Sequence, residues 1–227
     1  MAKLKLWISP GACSLVPHIL IREAGLDYEL VVIDIIKEGG FPEKYRNVNP
    51  KLRLPILELG DGNNNNDDNV IITEVPAIST YISQQATDKH LFGKSELEAV
   101  RVYEWFNWLS GTVHERGFGA VFQPKSWSDD ENAFPSISAK AREWVEICFA
   151  DIEEKLAGIH SVGDSFTAAD VFLYVIYRWG HLFELNMKER YPKWTELVNN
   201  VVKREAVIST VEKEGIPLVD DDRAKLK

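Results

Sequence analysis

The sequence predicts an α/β domain built on a mixed sheet, followed by an all-helical domain. Three observations carry this. Strand-like and helix-like segments alternate through roughly the first 85 residues. A polar linker, Gln85 to Lys94, interrupts them. From Ser95 onward the periodic segments have helical spacing. The expected boundaries are 1–86 for the first domain and 95–219 for the second.

Lys3 to Ile8 is a short apolar run and reads as a strand. Ser14 to Ala24 reads as a helix: Leu15, Val16, Ile19, Leu20 and Ala24 recur at helical spacing, and Gly25 is its stop. Pro17 falls in the first turn, where proline is tolerated. Tyr28 to Ile33 is a β-branched strand, and Phe41 to Asn47 is a short helical stretch. Ile56 to Leu59, just after Pro55, and Val70 to Thr73 are further strands. Pro76 to Gln84 reads as a helix with proline in its first turn. The order is β-α-β-α-β-β-α. Between the last two strands, Gly60 to Asn69 is polar and repetitive. It exceeds the two to five residues usual in a hairpin, about half its length, and is expected to be a mobile tip without a chemical role. A cation-binding loop of carboxylates and amides is the alternative, but its spacing does not match the calcium-loop pattern.

In the second domain, Glu96 to His114 places Val102, Trp105, Phe106, Leu109 and Val113 on one helical face. Tyr103, Asn107, Ser110 and His114 fall on another. Ala139 to Leu156 repeats the pattern and carries Cys148 on its apolar stripe, where a free cysteine is expected to be inert core filler. Thr167 is a good N-cap, and Asp170 three positions on can reach back as in a capping box. Phe166 and Val171 flank that cap as a hydrophobic staple. Val171 to Tyr177 is apolar nearly all round, so this helix is expected at the centre of a bundle.

Composition narrows the function. The chain has 227 residues, 45% of them hydrophobic, and a formal net charge of -9. That charge argues against nucleic-acid backbones and anionic membranes as partners. Two cysteines, Cys13 and Cys148, do not make a disulfide framework. No signal-like segment opens the chain, and no apolar run reaches the roughly 18 residues of a membrane span. A cytoplasmic location is expected.

The most informative local feature is Ser9-Pro10-Gly11-Ala12-Cys13-Ser14, between the first strand and the first helix. It puts a thiol at a helix N-terminus, where free N–H groups and the helix dipole favour an anion. Such a cysteine is expected to be acidified and reactive. The competing reading is a small buried hydrophobe.

Taken together, these segments resemble the cytosolic glutathione transferases, whose fold is a thioredoxin-like N-terminal domain followed by an all-helical domain. Pro10-Gly11-Ala12-Cys13-Ser14-Leu15 is similar to the bacterial beta class, which uses a cysteine where other classes use tyrosine or serine. Asn49-Pro50-Lys51-Leu52-Arg53-Leu54-Pro55 resembles the turn ending in a cis-proline. Thr73-Glu74-Val75-Pro76-Ala77-Ile78 resembles the acidic turn that opens the third helix. Phe166-Thr167-Ala168-Ala169-Asp170 resembles the capping motif of the central helix.

The resemblance implies glutathione as co-substrate, no metal, and a partner in a second copy of the chain, as a homodimer. A cis bond at Pro55 would turn the Leu54 N–H and C=O outward, to pair with the cysteinyl part of glutathione as an added strand. The backbone at Glu74 and Val75 would bind the γ-glutamyl carboxylate, and the Glu74 side chain would accept from the ligand's α-amine. Otherwise Glu74 is an ordinary first-turn acid. Lys37 would meet the glycyl carboxylate, and Arg53 would add positive charge near the pocket. His114 would point from the helical domain toward the thiol and stabilise a thiolate or relay protons. Asn107 would line the same cleft. The second substrate, a small hydrophobic electrophile or a disulfide, is expected between the domains near Cys13, walled by the Glu96 to Phe122 region.

Four departures from the beta-class pattern matter. Val75 stands where the wider family usually has serine and beta-class members often have glycine, so it keeps the backbone N–H but loses any hydroxyl contact. Ile8 stands where a tyrosine is frequent, and Leu52-Arg53 replaces a glycine-containing pair. Val16 occupies the place of a second redox cysteine, which argues against dithiol chemistry. Two reactions remain open: conjugation by bound glutathione with Cys13 positioning it, or a Cys13 mixed disulfide in thiol transfer. A non-catalytic ligand-binding or assembly module on the same fold is the rival class.

Overall fold

The computed structural model describes residues 3–60 and 70–219. The chain divides into two compact units. The first ends at Phe92 and takes back the chain from Val201 onward; the second runs from Gly93 to Asn200.

In the first unit a four-stranded mixed sheet has the order β2-β1-β3-β4. Its strands are β1 (Lys3–Ile8), β2 (Tyr28–Val32), β3 (Ile56–Gly60) and β4 (Val70–Thr73). β1 runs parallel to β2, with Leu4 opposite Tyr28 and Ile8 opposite Val32. A parallel pair needs a crossover, and α1 (Leu15–Glu23) provides it. β3 is antiparallel to both β1 and β4. Leu15, Val16, Ile19 and Leu20 of α1 are buried, as their spacing requires. Gly25 closes the helix in the left-handed region at φ 68°. α2 (Val75–Gln85) buries Val75, Ile78 and Ile82 and packs on α1.

Trp7, Ile33 and Ile56 form a separate cluster, with Phe41, Tyr45, Val48 and Leu54 packed against it. The helix expected from Phe41 to Asn47 shrinks to a single 3-10 turn, Glu43–Tyr45. Its role is to carry an aromatic lid: the Tyr45 ring meets Trp7 edge-on at 5.1 Å. Pro42 in extended conformation and Gly39-Gly40 before it leave no room for a longer helix. Apart from Gly60, the expected polar tip at 60–69 lies outside the described residues.

The second unit is helical. Its elements are α3 (Glu96–Asn107), α4 (Ala120–Phe122), α5 (Phe134–Lys155), α6 (Ala168–Gly180), α7 (Met187–Arg190) and α8 (Pro192–Val201), which reaches the boundary. α3 is capped by Ser95, whose Oγ accepts from the Glu98 N–H at 3.2 Å. Every residue of α6 is buried, as its all-round apolar pattern requires. The capping box at Thr167 and Asp170 is present. Asp170 does more than cap: it also accepts from the Ser161 N–H at 2.7 Å and the Ser161 Oγ at 2.6 Å. Phe118 meets Phe149, Trp179 and Phe183 in an aromatic cluster, and Cys148 is buried on α5 next to Phe149. Its surroundings push the Cys148 thiol up to about 11, chiefly by desolvation.

Two sequence expectations change here. The helix expected over Glu96 to His114 is α-helical only to Asn107; Trp108–Gly119 continues it as a π-helix. Hydrogen bonds in a π-helix span five residues, so each residue turns through a smaller angle. Asn107 and His114 therefore do not keep the α-helical spacing that put them on one face. The second change concerns α9 (Glu205–Glu214), which the sequence analysis assigned to the helical domain. It packs on α1 in the first unit, with Val207 and Val211 buried. Arg22 Nε donates to Ser209 Oγ at 3.2 Å, and Arg204 pairs with Glu23.

Candidate active site

The segment from Ser9 to Ser14 forms a tight turn between β1 and α1. Ser14 Oγ accepts from the Ser9 N–H at 3.0 Å and donates to the Ser9 carbonyl at 3.1 Å. Gly11 takes φ 72°, a conformation that a side chain would strain. Cys13 sits one residue before the N-cap position, Ser14. Its Sγ donates to the Leu54 carbonyl at 3.7 Å, and the residue is only 8% exposed.

The Leu54–Pro55 bond is cis. The turn that leads to it is held by Asn49, a polar side chain only 1% exposed. Asn49 Nδ2 donates to the Arg53 carbonyl at 2.8 Å, and Asn49 Oδ1 accepts from the Lys51 N–H at 3.1 Å. Leu52, at φ 52°, makes the reversal. Asn49 was legible only as part of the turn motif; its buried anchoring role was not.

The expected acidification of Cys13 is reversed. Burial pushes the thiol from 9.0 up to about 12. The Cys13 and Ser14 backbone N–H groups and the Arg53 charge pull it down, while the Glu74 charge adds to the rise. Desolvation is the largest of these effects. Leu15 N donates to Ala12 O at 3.0 Å and Val16 N to Cys13 O at 3.1 Å.

Glu74 takes φ 75° and ψ 131° just before α2, an unusual backbone conformation for a residue with a side chain. Val75 is the first residue of that helix and is buried. The Glu74 carboxylate is exposed and accepts from Lys51 Nζ at 2.6 Å; Lys51 also reaches Thr73 Oγ1 at 2.9 Å. Lys51 belongs to the quoted turn motif, but nothing in the sequence pairs it with Glu74. Arg53 is exposed. Lys37 is exposed and pairs with Asp34 at 3.0 Å.

The structure thus brings Cys13 and Leu54 into contact and sets Arg53 and Glu74 close enough to shift the thiol. No described contact joins Lys37 to them. Asn107 and His114 belong to the second unit. Asn107 is exposed at the end of α3, and the His114 ring packs on Trp179 at 5.1 Å. Among the described residues no group of three or more His, Cys, Asp or Glu is placed to hold a metal ion.

A family model for the glutathione S-transferase N-terminal domain matches residues 11–85. The glutathione S-transferase GstA of Escherichia coli O157:H7 is 30% identical over 218 residues, covering 94% of this chain and all of that one. A sphingomonad glutathione S-transferase, solved in complex with glutathione, is 32% identical with a TM-score of 0.77, covering 94% of this chain and 100% of that one. A bacterial beta-class glutathione S-transferase from Sphingomonas chungbukensis is 28% identical with a TM-score of 0.76 and covers the same shares. The mixed sheet carrying a cis-proline turn, the helical second unit and full-length similarity to a curated relative agree: the chain belongs to the glutathione S-transferase family.

Proposed function

We propose that this transferase conjugates glutathione to small hydrophobic electrophiles, with the glutathione thiolate as nucleophile and Cys13 as its hydrogen-bond donor. The observation that carries this is the state of the Cys13 thiol: buried beside Leu54 and held up to about 12, it is a donor at neutral pH. A protonated S–H can donate to a bound thiolate sulfur and lower that sulfur's pKa. The glutathione sulfur supplies the electron pair of the new C–S bond, and the displaced group leaves with the old one. A Cys13 mixed disulfide would instead need a thiolate at position 13.

In this reading the Leu54 N–H and C=O pair with the cysteinyl part of glutathione. The backbone at Glu74 and Val75 takes the γ-glutamyl carboxylate, and the Glu74 carboxylate takes the α-ammonium. Arg53 and Lys37 supply positive charge for the glycyl carboxylate. His114 and Asn107 are the helical unit's contribution, with His114 as proton relay or thiolate stabiliser. The same reading carries a homodimer and a cytoplasmic location. Leu97 and Val100, 66% and 60% exposed three positions apart on α3, suit self-association. No helix of the described residues is long and apolar enough to cross a membrane.

The test compares wild type with Cys13→Ala, using glutathione and chlorodinitrobenzene. Loss of one donor to a developing charge is expected to lower kcat about 100-fold with little change in KM for glutathione. Brief treatment with oxidised glutathione near neutral pH should leave Cys13 unlabelled by mass. Rapid formation of an adduct on Cys13, with conjugation intact in Cys13→Ala, would favour thiol transfer instead. No turnover by the wild-type protein with any electrophile would favour the non-catalytic module.

A further inference from the structure

The thiol turn is held from one side by Ser14. From the other side it is held by a residue more than 200 positions away in sequence. Glu214 is the last residue of α9, and its side chain is fully buried. Its Oε2 accepts from the Gly11 N–H at 2.8 Å. Its Oε1 lies 2.6 Å from His18 Nδ1, and His18 Nε2 lies 2.9 Å from the Tyr28 hydroxyl. His18 is itself fully buried on α1. The chain of contacts therefore runs from β2 through α1 to α9 and ends on the glycine two residues before Cys13.

A buried carboxylate is costly unless its oxygens are satisfied. Here both oxygens have partners, one of them the backbone of the thiol turn. A hydrogen bond from a backbone N–H to a charged acceptor is about twice as strong as a neutral one. Gly11 is also the turn's left-handed residue, the position whose peptide is freest to reorient. The Gly11 N–H is thus the point at which one outside contact can fix the turn.

We propose that Glu214 is a positioning residue for Cys13. The C-terminal helix reaches back to clamp Gly11, which holds the Ser9–Ser14 turn in the conformation that buries the thiol against Leu54. The functional meaning rests on the conjugation reading above. The structural claim does not, because it concerns the turn in the absence of any ligand.

The test uses the full chain without glutathione or electrophile. Cys13 alkylation by iodoacetamide is followed by mass, and Gly11 amide exchange by NMR, in wild type, Glu214→Ala, Glu214→Gln and Val207→Ala. Val207 is buried on the same helix and controls for loss of α9 packing. Glu214→Ala should alkylate about tenfold faster at Cys13 than Val207→Ala, the factor expected for loss of one hydrogen bond to a charged group. Its Gly11 amide should exchange faster by a similar factor. Glu214→Gln should fall between wild type and Glu214→Ala, because its amide oxygen still accepts from Gly11 but without the charge that strengthens the bond. Equal rates in Glu214→Ala and Val207→Ala would overturn the proposal. Should Glu214→Ala fail to fold, wild type still decides: the Gly11 amide must be as protected as those of Val211 to Glu214, and rapid exchange there overturns the clamp. Failure of conjugation with an intact clamp would refute the functional reading alone.

Discussion

The Cys13 thiol and the Leu54 carbonyl meet at 3.7 Å, so the residue that marks the site chemically and the residue before the cis-proline share one buried spot. Their contact explains why the thiol is a donor. The carbonyl accepts from S–H and offers nothing to a thiolate, and the surrounding apolar packing excludes the water that would solvate the charge.

The first prediction concerns pH. Unfolded, the thiol titrates at its ordinary 9.0; folded, it titrates at about 12. The unfolded chain therefore loses the proton first as pH rises. Stability present below pH 9.0 is lost progressively between 9.0 and about 12. In Cys13→Ala that part of the decline should be missing, read as a shallower fall of the urea midpoint across this range. Parallel curves for the two proteins would show that the thiol is not desolvated.

Glu74 offers a trade between stability and binding. Its backbone holds a conformation that disfavours a side chain. Its ion pair with Lys51 is exposed on both sides and worth at most about 1 kcal/mol. Glu74→Gly should raise unfolding stability by about 1 kcal/mol through relief of backbone strain. The same change should weaken glutathione binding at least tenfold, the usual effect of losing a hydrogen bond to a charged group. Calorimetric titration and urea unfolding of one sample measure both. A loss of stability would mean that the conformation costs nothing.

Asp170 should matter more than a helix cap alone. It accepts from the Thr167 N–H at 2.8 Å and from both Ser161 donors, all with its side chain buried. Asp170→Ala leaves those donors unpaired, so the expected cost is about 3–5 kcal/mol rather than the ~1 kcal/mol of an exposed cap. The denaturant midpoint of the variant gives the answer. A cost near 1 kcal/mol would confine its role to capping.

Gly180 ends α6 where other side chains close in. A methyl group there would lie 2.4 Å from Met187 Sδ and 2.8 Å from the Phe149 ring. The methionine can move, but the ring is locked against Trp194 and Tyr191. Gly180→Ala should cost about 1–3 kcal/mol by overpacking. An unchanged melting temperature would show that the cluster is loosely packed.

The sequence by itself determined what depends on local pattern. Short apolar and β-branched runs marked the strands, helical spacing of apolar residues marked α1, α3 and α5, a first-turn proline marked α2, and Thr167 with Asp170 announced the start of the nearly all-apolar α6. The position of the thiol at a strand-to-helix turn was legible for the same reason; the cis-proline turn was legible through its resemblance to the family motif. Tertiary structure alone decided the rest. It set the sign of the Cys13 shift, because desolvation depends on what covers the sulfur and not on its neighbours in the chain. It moved α9 to the first unit, where Glu214 reaches Gly11 across 203 positions. It widened the helix after Asn107, which altered the register that carries His114. Periodicity reports which face of an element is apolar; it does not report which distant element comes to cover that face, and burial, charge pairing and register are settled only when it does.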